Sequence, residues 1–131
     1  MIAVDTKVLV RLLVGDDPTQ AAKARQLFDR AAAVHKAVWI SDTVLVEMVW
    51  TLARAYGRDR AGVATALRAL CSNATVTLES ASAVREATDA FERGPADFAD
   101  YLLCAKAVAA GCDQVATFDR GMKGLPAVKL L

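Results

Sequence analysis

Five carboxylates stand out by type and position: Asp5, Glu47, Asp97, Asp100 and Asp119. Asp5 directly follows Ile2–Val4, a short apolar segment that reads as a strand, and Asp119 stands just past Gln114–Thr117, which reads as another. Asp97 and Asp100 are three residues apart at the start of a helical segment, so they share a face and the positive end of that helix's dipole. Glu47 lies inside the apolar run Val44-Leu45-Val46-Glu47-Met48-Val49-Trp50, where a charge asks for an explanation. Grouping such side chains is unfavourable by itself: at about 5 Å and an effective dielectric of about 20, each pair repels by roughly 3 kcal/mol. A divalent cation offsets that repulsion. Oxygen-only donors suit Mg2+ or Mn2+, whereas zinc favours the His and Cys that are missing from these positions. Held against a phosphodiester, such an ion lowers the pKa of an attacking water and stabilises charge on the phosphoryl oxygens and leaving group. Metal-assisted hydrolysis of nucleic acid is the chemistry this set favours.

Each residue also has a plainer reading. Asp5 suits the cap of a helix beginning at Thr6, and Asp97 the cap of its own helix. Glu47 fits a solvated stripe with Thr43, Thr51 and Arg54. Asp100 is the exception, because its helical neighbours Cys104, Ala107 and Val108 are small or apolar and carry it inward. The combination makes the case, not any one member.

The elements that must position these groups alternate along the whole chain. Ile2–Val4 is a first strand and Thr6–Val14 a short apolar helix that stops near Gly15. Asp16-Asp17-Pro18-Thr19 supplies a capping carboxylate and a first-turn proline for a helix over Pro18–Ala33, whose core face carries Ala21, Ala24, Leu27, Phe28 and Ala31. Ala37–Ile40 is a second strand, after which Ser41 or Asp42 caps a helix running to about Tyr56 before Gly57. Asp59 opens a helix with Val63, Leu67, Leu70 and Cys71 on one stripe, and Thr75–Leu78 is a third strand. An amphipathic helix over Ser80–Arg93 is broken by Gly94-Pro95, a helix spans Asp97–Ala110, and Gln114–Thr117 and Ala127–Leu130 are the last two strands. Such alternation predicts an α/β fold with a mostly parallel sheet of four to five strands flanked by helices, and sites beyond the carboxyl ends of the strands.

Composition narrows the class. A chain of 131 residues without internal repeat, low-complexity stretch or linker reads as a single domain over 1–131, long enough to bury a real core. Its 55% hydrophobic content is spread over short segments, none near the roughly 20 residues a bilayer needs, so no membrane association is expected. The first residues lack a basic n-region, which predicts a cytoplasmic protein without a targeting peptide. Cys71, Cys104 and Cys112 have no metal or redox spacing and read as reduced, mostly packing residues. Sixteen basic against fifteen acidic side chains give +1, which excludes nucleic-acid binding by bulk charge alone. The lone His35 falls in a loop and reads as a surface residue, so catalysis is left to carboxylates.

Val4-Asp5-Thr6 with Val8-Leu9, Ile40-Ser41 with Val44-Leu45-Val46-Glu47, Asp97-Phe98-Ala99-Asp100 and Thr117-Phe118-Asp119-Arg120 together resemble the successive acidic motifs of PIN-domain proteins, VapC toxins in particular. The resemblance spans nearly the whole chain, in order. It implies a three-layer sandwich and a Mg2+- or Mn2+-dependent endoribonuclease acting on RNA, with Asp5, Glu47, Asp100 and Asp119 at the core acidic positions and metal, and Asp97 as a fifth acid. Thr6 and Thr117 match hydroxyl positions that orient the carboxylates or a metal-bound water. The resemblance also implies a VapB-like antitoxin, as in type II toxin-antitoxin pairs, and a homodimer. Lys7 departs from the small polar residue many relatives carry there. It joins Arg11, Arg120 and Lys123 near the predicted active-end loops, as phosphate contacts or as ordinary soluble surface.

Other classes fit less well. A haloacid-dehalogenase-type phosphoryl-transfer enzyme needs a second aspartate two residues after Asp5, where Lys7 stands, and a receiver domain needs an acidic pair near the first strand, whereas Asp16-Asp17 follow a helix. A PIN-type nuclease of RNA processing or turnover without an antitoxin has the same acidic site. A non-catalytic protein- or RNA-binding PIN module is disfavoured by retention of all five acids.

Overall fold

Short polar side chains start most of the helices by accepting a first-turn backbone N–H that has no partner within the helix. The computed structural model describes residues 1–131. Asp5 starts α1 (Thr6–Val14), Asp17 starts α2 (Pro18–Ala33), Ser41 starts α3 (Asp42–Arg54) and Asp59 starts α4 (Arg60–Ser72), each with its side chain as acceptor. Gly15 ends α1 at φ 70, a left-handed conformation that glycine adopts at little cost. The predicted elements are all present, with ends displaced by a residue or two.

The chain divides into two compact units, Met1–Glu79 and Ser80–Leu131. In the first, β1 (Ile2–Ala3), β2 (Val38–Ile40) and β3 (Val76–Leu78) form a parallel sheet in the order β1-β2-β3, with Ile2 opposite Val38 and Val38 opposite Val76. Central β2 buries Val38 and Ile40 completely, as a strand with neighbours on both sides should. Helix α1 packs on α2 and α3, and α4 on α3 and β3. Leu9, Leu45, Met48, Leu52 and Leu67, all fully buried, lie on these helices. Ala21, Ala24, Phe28 and Ala31 are buried on α2 as their spacing predicts, whereas Leu27 is half-buried.

The second unit holds α5 (Ala81–Arg93), α6 (Phe98–Ala109), β4 (Val115–Thr117), a 3-10 turn over Arg120–Met122, and β5 (Val128–Leu130), which pairs parallel with β4. Phe91 of α5 meets Phe98 of α6 edge to face, with ring centroids 6.2 Å apart. Ala96, Cys104, Val115, Met122 and Leu125 form a buried cluster against which Tyr101 and Val128 pack. Gly94, after α5, has an ordinary extended backbone, but a Cβ there would overlap the Tyr101 hydroxyl and stand 2.9 Å from its Cζ. The same hydroxyl accepts from the Ala96 backbone N–H at 3.4 Å.

One expectation is corrected. In place of a single sheet of four to five strands there is a three-stranded sheet in one unit and a two-stranded sheet in the other. The strands are only two or three residues long, so each has few ladder groups to offer, and these go to neighbours within its own unit. Strand-helix alternation establishes that paired strands run parallel, but it does not say which edges join.

Candidate active site

In the first unit, Asp5 lies just past β1 and caps α1, its Oδ1 accepting from the Val8 N–H at 3.3 Å. The plainer reading of Asp5 as a cap therefore holds, and it occupies one carboxylate oxygen. The next residue, Thr6, donates its hydroxyl to Glu47 Oε2 at 2.6 Å, tying the start of α1 to α3 across 41 residues of sequence. Glu47 is exposed, on the side of α3 away from buried Leu45, Met48 and Leu52. Its apolar sequence neighbours thus do not bury it, and it shares a stripe with Thr43, Thr51 and Arg54. Helical spacing does not reveal the Thr6 bond.

In the second unit, Asp97 occupies the N-cap position of α6 but makes no capping hydrogen bond, so its carboxylate is not consumed as a cap. Asp100, one helical turn on, is half-buried. Burial, then the negative charges of Asp97 and Asp119, hold its carboxyl above the usual carboxylate range, partly offset by the Asp97 backbone N–H. Asp119 accepts from the Gly121 N–H at 2.7 Å, while its own N–H donates to the Thr117 hydroxyl at 2.9 Å. These bonds fix the loop after β4 so that Asp119 stays beyond the strand's carboxyl end. Of the apolar neighbours expected to carry Asp100 inward, Cys104 is buried and Ala107 half-buried, but Val108 is 60% exposed. Cys104 stands a further turn along α6, and burial together with Asp100 pushes its thiol up.

The four nominated cations behave differently. Lys7, Arg120 and Lys123 are exposed. Arg11 is committed to a local network: its Nε donates to Gln20 at 2.6 Å, its Nη1 pairs with Asp16 at 3.3 Å and donates to the Tyr56 hydroxyl at 3.2 Å, and Tyr56 in turn donates to Asp16 at 2.9 Å. Sequence reading did not foresee this network, because Arg11, Asp16 and Tyr56 come from three separate segments. Nor did it foresee the burial of Asp42, offered as an alternative to Ser41 as the cap: Asp42 is 8% exposed and its backbone N–H donates to Glu79. The stacking of Arg54 on Trp50, with the guanidinium carbon 5.3 Å from the ring centroid, was legible in principle from their four-residue spacing on a helix.

No group of three or more His, Cys, Asp or Glu side chains is disposed as a ready ligand set for one ion. The chemistry of the donors nonetheless fits a hard cation. The nominated acids offer oxygen alone, and the crowding of like charge felt by Asp100 is what a bound divalent ion relieves.

Each unit carries a carboxylate just past the end of a parallel strand, Asp5 after β1 and Asp119 after β4, in an α/β protein. The family model for the PIN domain matches residues 2–128, and the chain belongs to that family, whose members are generally metal-dependent nucleases. No curated protein matches the chain. No helix is long and apolar enough to cross a membrane.

Proposed function

We propose that this PIN-domain protein is a Mg2+- or Mn2+-dependent endoribonuclease and the toxin of a type II toxin-antitoxin pair, with both units serving as one domain. Asp5, Glu47, Asp97, Asp100 and Asp119 are its catalytic acids, and Asp5, Glu47, Asp100 and Asp119 hold the metal. The observation that supports the reading is the setting of Asp100, whose carboxyl is raised above the usual range first by burial and then by the negative charges of Asp97 and Asp119. A fold keeps such an arrangement at a cost, and family membership supplies its use.

The chain's own residues position the acids. Thr6 holds one oxygen of Glu47, the Val8 N–H holds one of Asp5 and the Gly121 N–H holds one of Asp119, so each carboxylate is oriented by one oxygen and presents the other. When bound, the metal supplies an acidified water and charge compensation at the phosphoryl group. Lys7, Arg120 and Lys123 meet RNA phosphates. A VapB-like antitoxin, a homodimer and a cytoplasmic location complete the proposal, resting on the motif resemblance.

The test is RNA cleavage by purified protein with and without Mg2+. Asp5→Asn and Asp119→Asn should each lower the rate by roughly a hundredfold or more while circular dichroism is retained. Equal cleavage by wild type and variants overturns the assignment. Expression of the wild type should arrest growth, and Asp5→Asn should relieve the arrest; an arrest that persists in the variant argues against a nuclease toxin.

A further inference from the structure

Two of the nominated acids stand on different helices of the first unit: Asp5 caps α1 and Glu47 lies on α3. Their separation is therefore set by how α1 lies against α3, with which it packs. The Thr6 hydroxyl makes one bond between the two helices, to Glu47 at 2.6 Å. Both side chains reach it through rotatable bonds, so a nine-residue helix tied at that point alone is free to pivot about it. A second attachment, at the other end of α1, removes the pivot.

Arg11, in the last turn of α1, makes that attachment. It is a charged residue in a segment that is apolar from Val8 to Val14 apart from itself. Its Nη1 donates to the Tyr56 hydroxyl at 3.2 Å and pairs with Asp16 at 3.3 Å, and that hydroxyl donates onward to Asp16 at 2.9 Å, so the three groups close a ring. Its Nε donates to Gln20, in the first turn of α2, at 2.6 Å, which fixes the guanidinium plane from a second side. Tyr56 in turn belongs to the end of α3. Gly57 follows it at φ 61, and the Arg58 N–H closes back on the carbonyl of fully buried Leu52 at 2.9 Å, so the Tyr56 hydroxyl moves with that helix. An isolated surface ion pair contributes little to holding two elements together, but here the Tyr56 bond is the chief reason that Arg11 keeps its proton more firmly than a free guanidinium, and it joins two helix ends.

We infer that Arg11 and Tyr56 are positioning residues: with Asp16 they lock the far end of α1 to α3, and so keep Asp5 and Glu47 in one fixed relation for a shared divalent ion. This rests on the reading of Asp5 and Glu47 as metal ligands, and deepens it by naming residues that act on the site through two helices while touching neither metal nor RNA.

Mn2+ affinity of the full chain is measured by electron paramagnetic resonance, and the Glu47 carboxylate is followed without metal by its carbon-13 resonance, assigned with Glu47→Gln. Tyr56→Phe keeps the ring and deletes only the hydroxyl, and Arg11→Lys keeps the charge but not the planar fork. Each should weaken Mn2+ binding by roughly threefold and move the Glu47 resonance, and Thr6→Val should weaken binding by roughly tenfold. Because both bonds fix the same pair of helices, the Thr6→Val, Tyr56→Phe double variant should lose less than the roughly thirtyfold product. In RNA cleavage, excess Mg2+ should restore Tyr56→Phe but not Asp5→Asn. Ala69→Gly, on the exposed side of α4, lowers helix stability away from the ring and should leave Mn2+ affinity within about twofold. Wild-type affinity in Tyr56→Phe or Arg11→Lys overturns the inference, as does a double variant that shows the full product. An equal loss in Ala69→Gly also overturns it, by making the effect one of general stability. If the wild type takes up no Mn2+, the metal reading fails and the resonance decides the inference by itself: unmoved in Tyr56→Phe it overturns the tether, and moved it upholds the bracing of Glu47.

Discussion

Asp100 is the carboxylate whose surroundings most oppose its charge, and the sign of that opposition gives a measurable pH dependence. Its folded-state pKa lies above the ordinary value because of burial, Asp97 and Asp119. On raising the pH, the unfolded chain therefore gives up this proton first, and Asp100 lowers folding stability across the interval from the ordinary carboxylate pKa up to the raised one. Asn at this position does not ionise. Asp100→Asn should be more stable than wild type at neutral pH in EDTA, and its advantage should vanish below about pH 4, where both carry a neutral side chain. Urea denaturation at the two pH values checks this; an Asp100→Asn protein less stable than wild type at neutral pH counts against like-charge crowding. The acids themselves were legible as residues from motif and strand position. Their fixation was not, because the Thr6–Glu47 bond and the Arg11–Asp16–Tyr56 network join positions far apart in sequence, and side-chain type alone does not say which distant groups meet.

At the level of elements, the sequence is read most readily where local chemistry decides. Asp17, Ser41 and Asp59 begin their helices as capping residues do, and Gly15 ends α1 in the left-handed region. Asp97 shows the limit: it has the right type and place for a cap but makes no capping bond. Gly94 is a second case. Sequence marks it as a helix breaker, yet its backbone is one that any residue adopts, and the requirement for glycine comes from Tyr101. Gly94→Ala should therefore cost about 1–3 kcal/mol by overpacking, read as a lower denaturation midpoint, and Tyr101→Phe in the same chain should recover part of the loss by removing the overlapping oxygen. If Gly94→Ala is as stable as the parent, Tyr101 does not constrain that position. Sheet assembly was the least legible level, since alternation of strands and helices is equally compatible with one sheet or with the two that form.

Taken whole, the proposed function requires a chain with a net charge of +1 to bind RNA through placed groups, not a general positive field. Lys7, Arg120 and Lys123 are exposed, Arg54 backs Trp50, and Arg11 is occupied elsewhere. Three or four phosphate contacts to a single strand predict a plot of log affinity against log salt with a slope between about −2 and −3. A slope twice as steep means that binding relies on many more cations than these. The donor inventory has a consequence of its own. The chain contains one histidine and three cysteines, and the sulfur nearest the acids in sequence along α6, Cys104, is kept as a neutral thiol by burial and by Asp100. Alkylating or oxidising reagents should therefore react first at exposed Cys112, which is read by mass spectrometry of the modified chain.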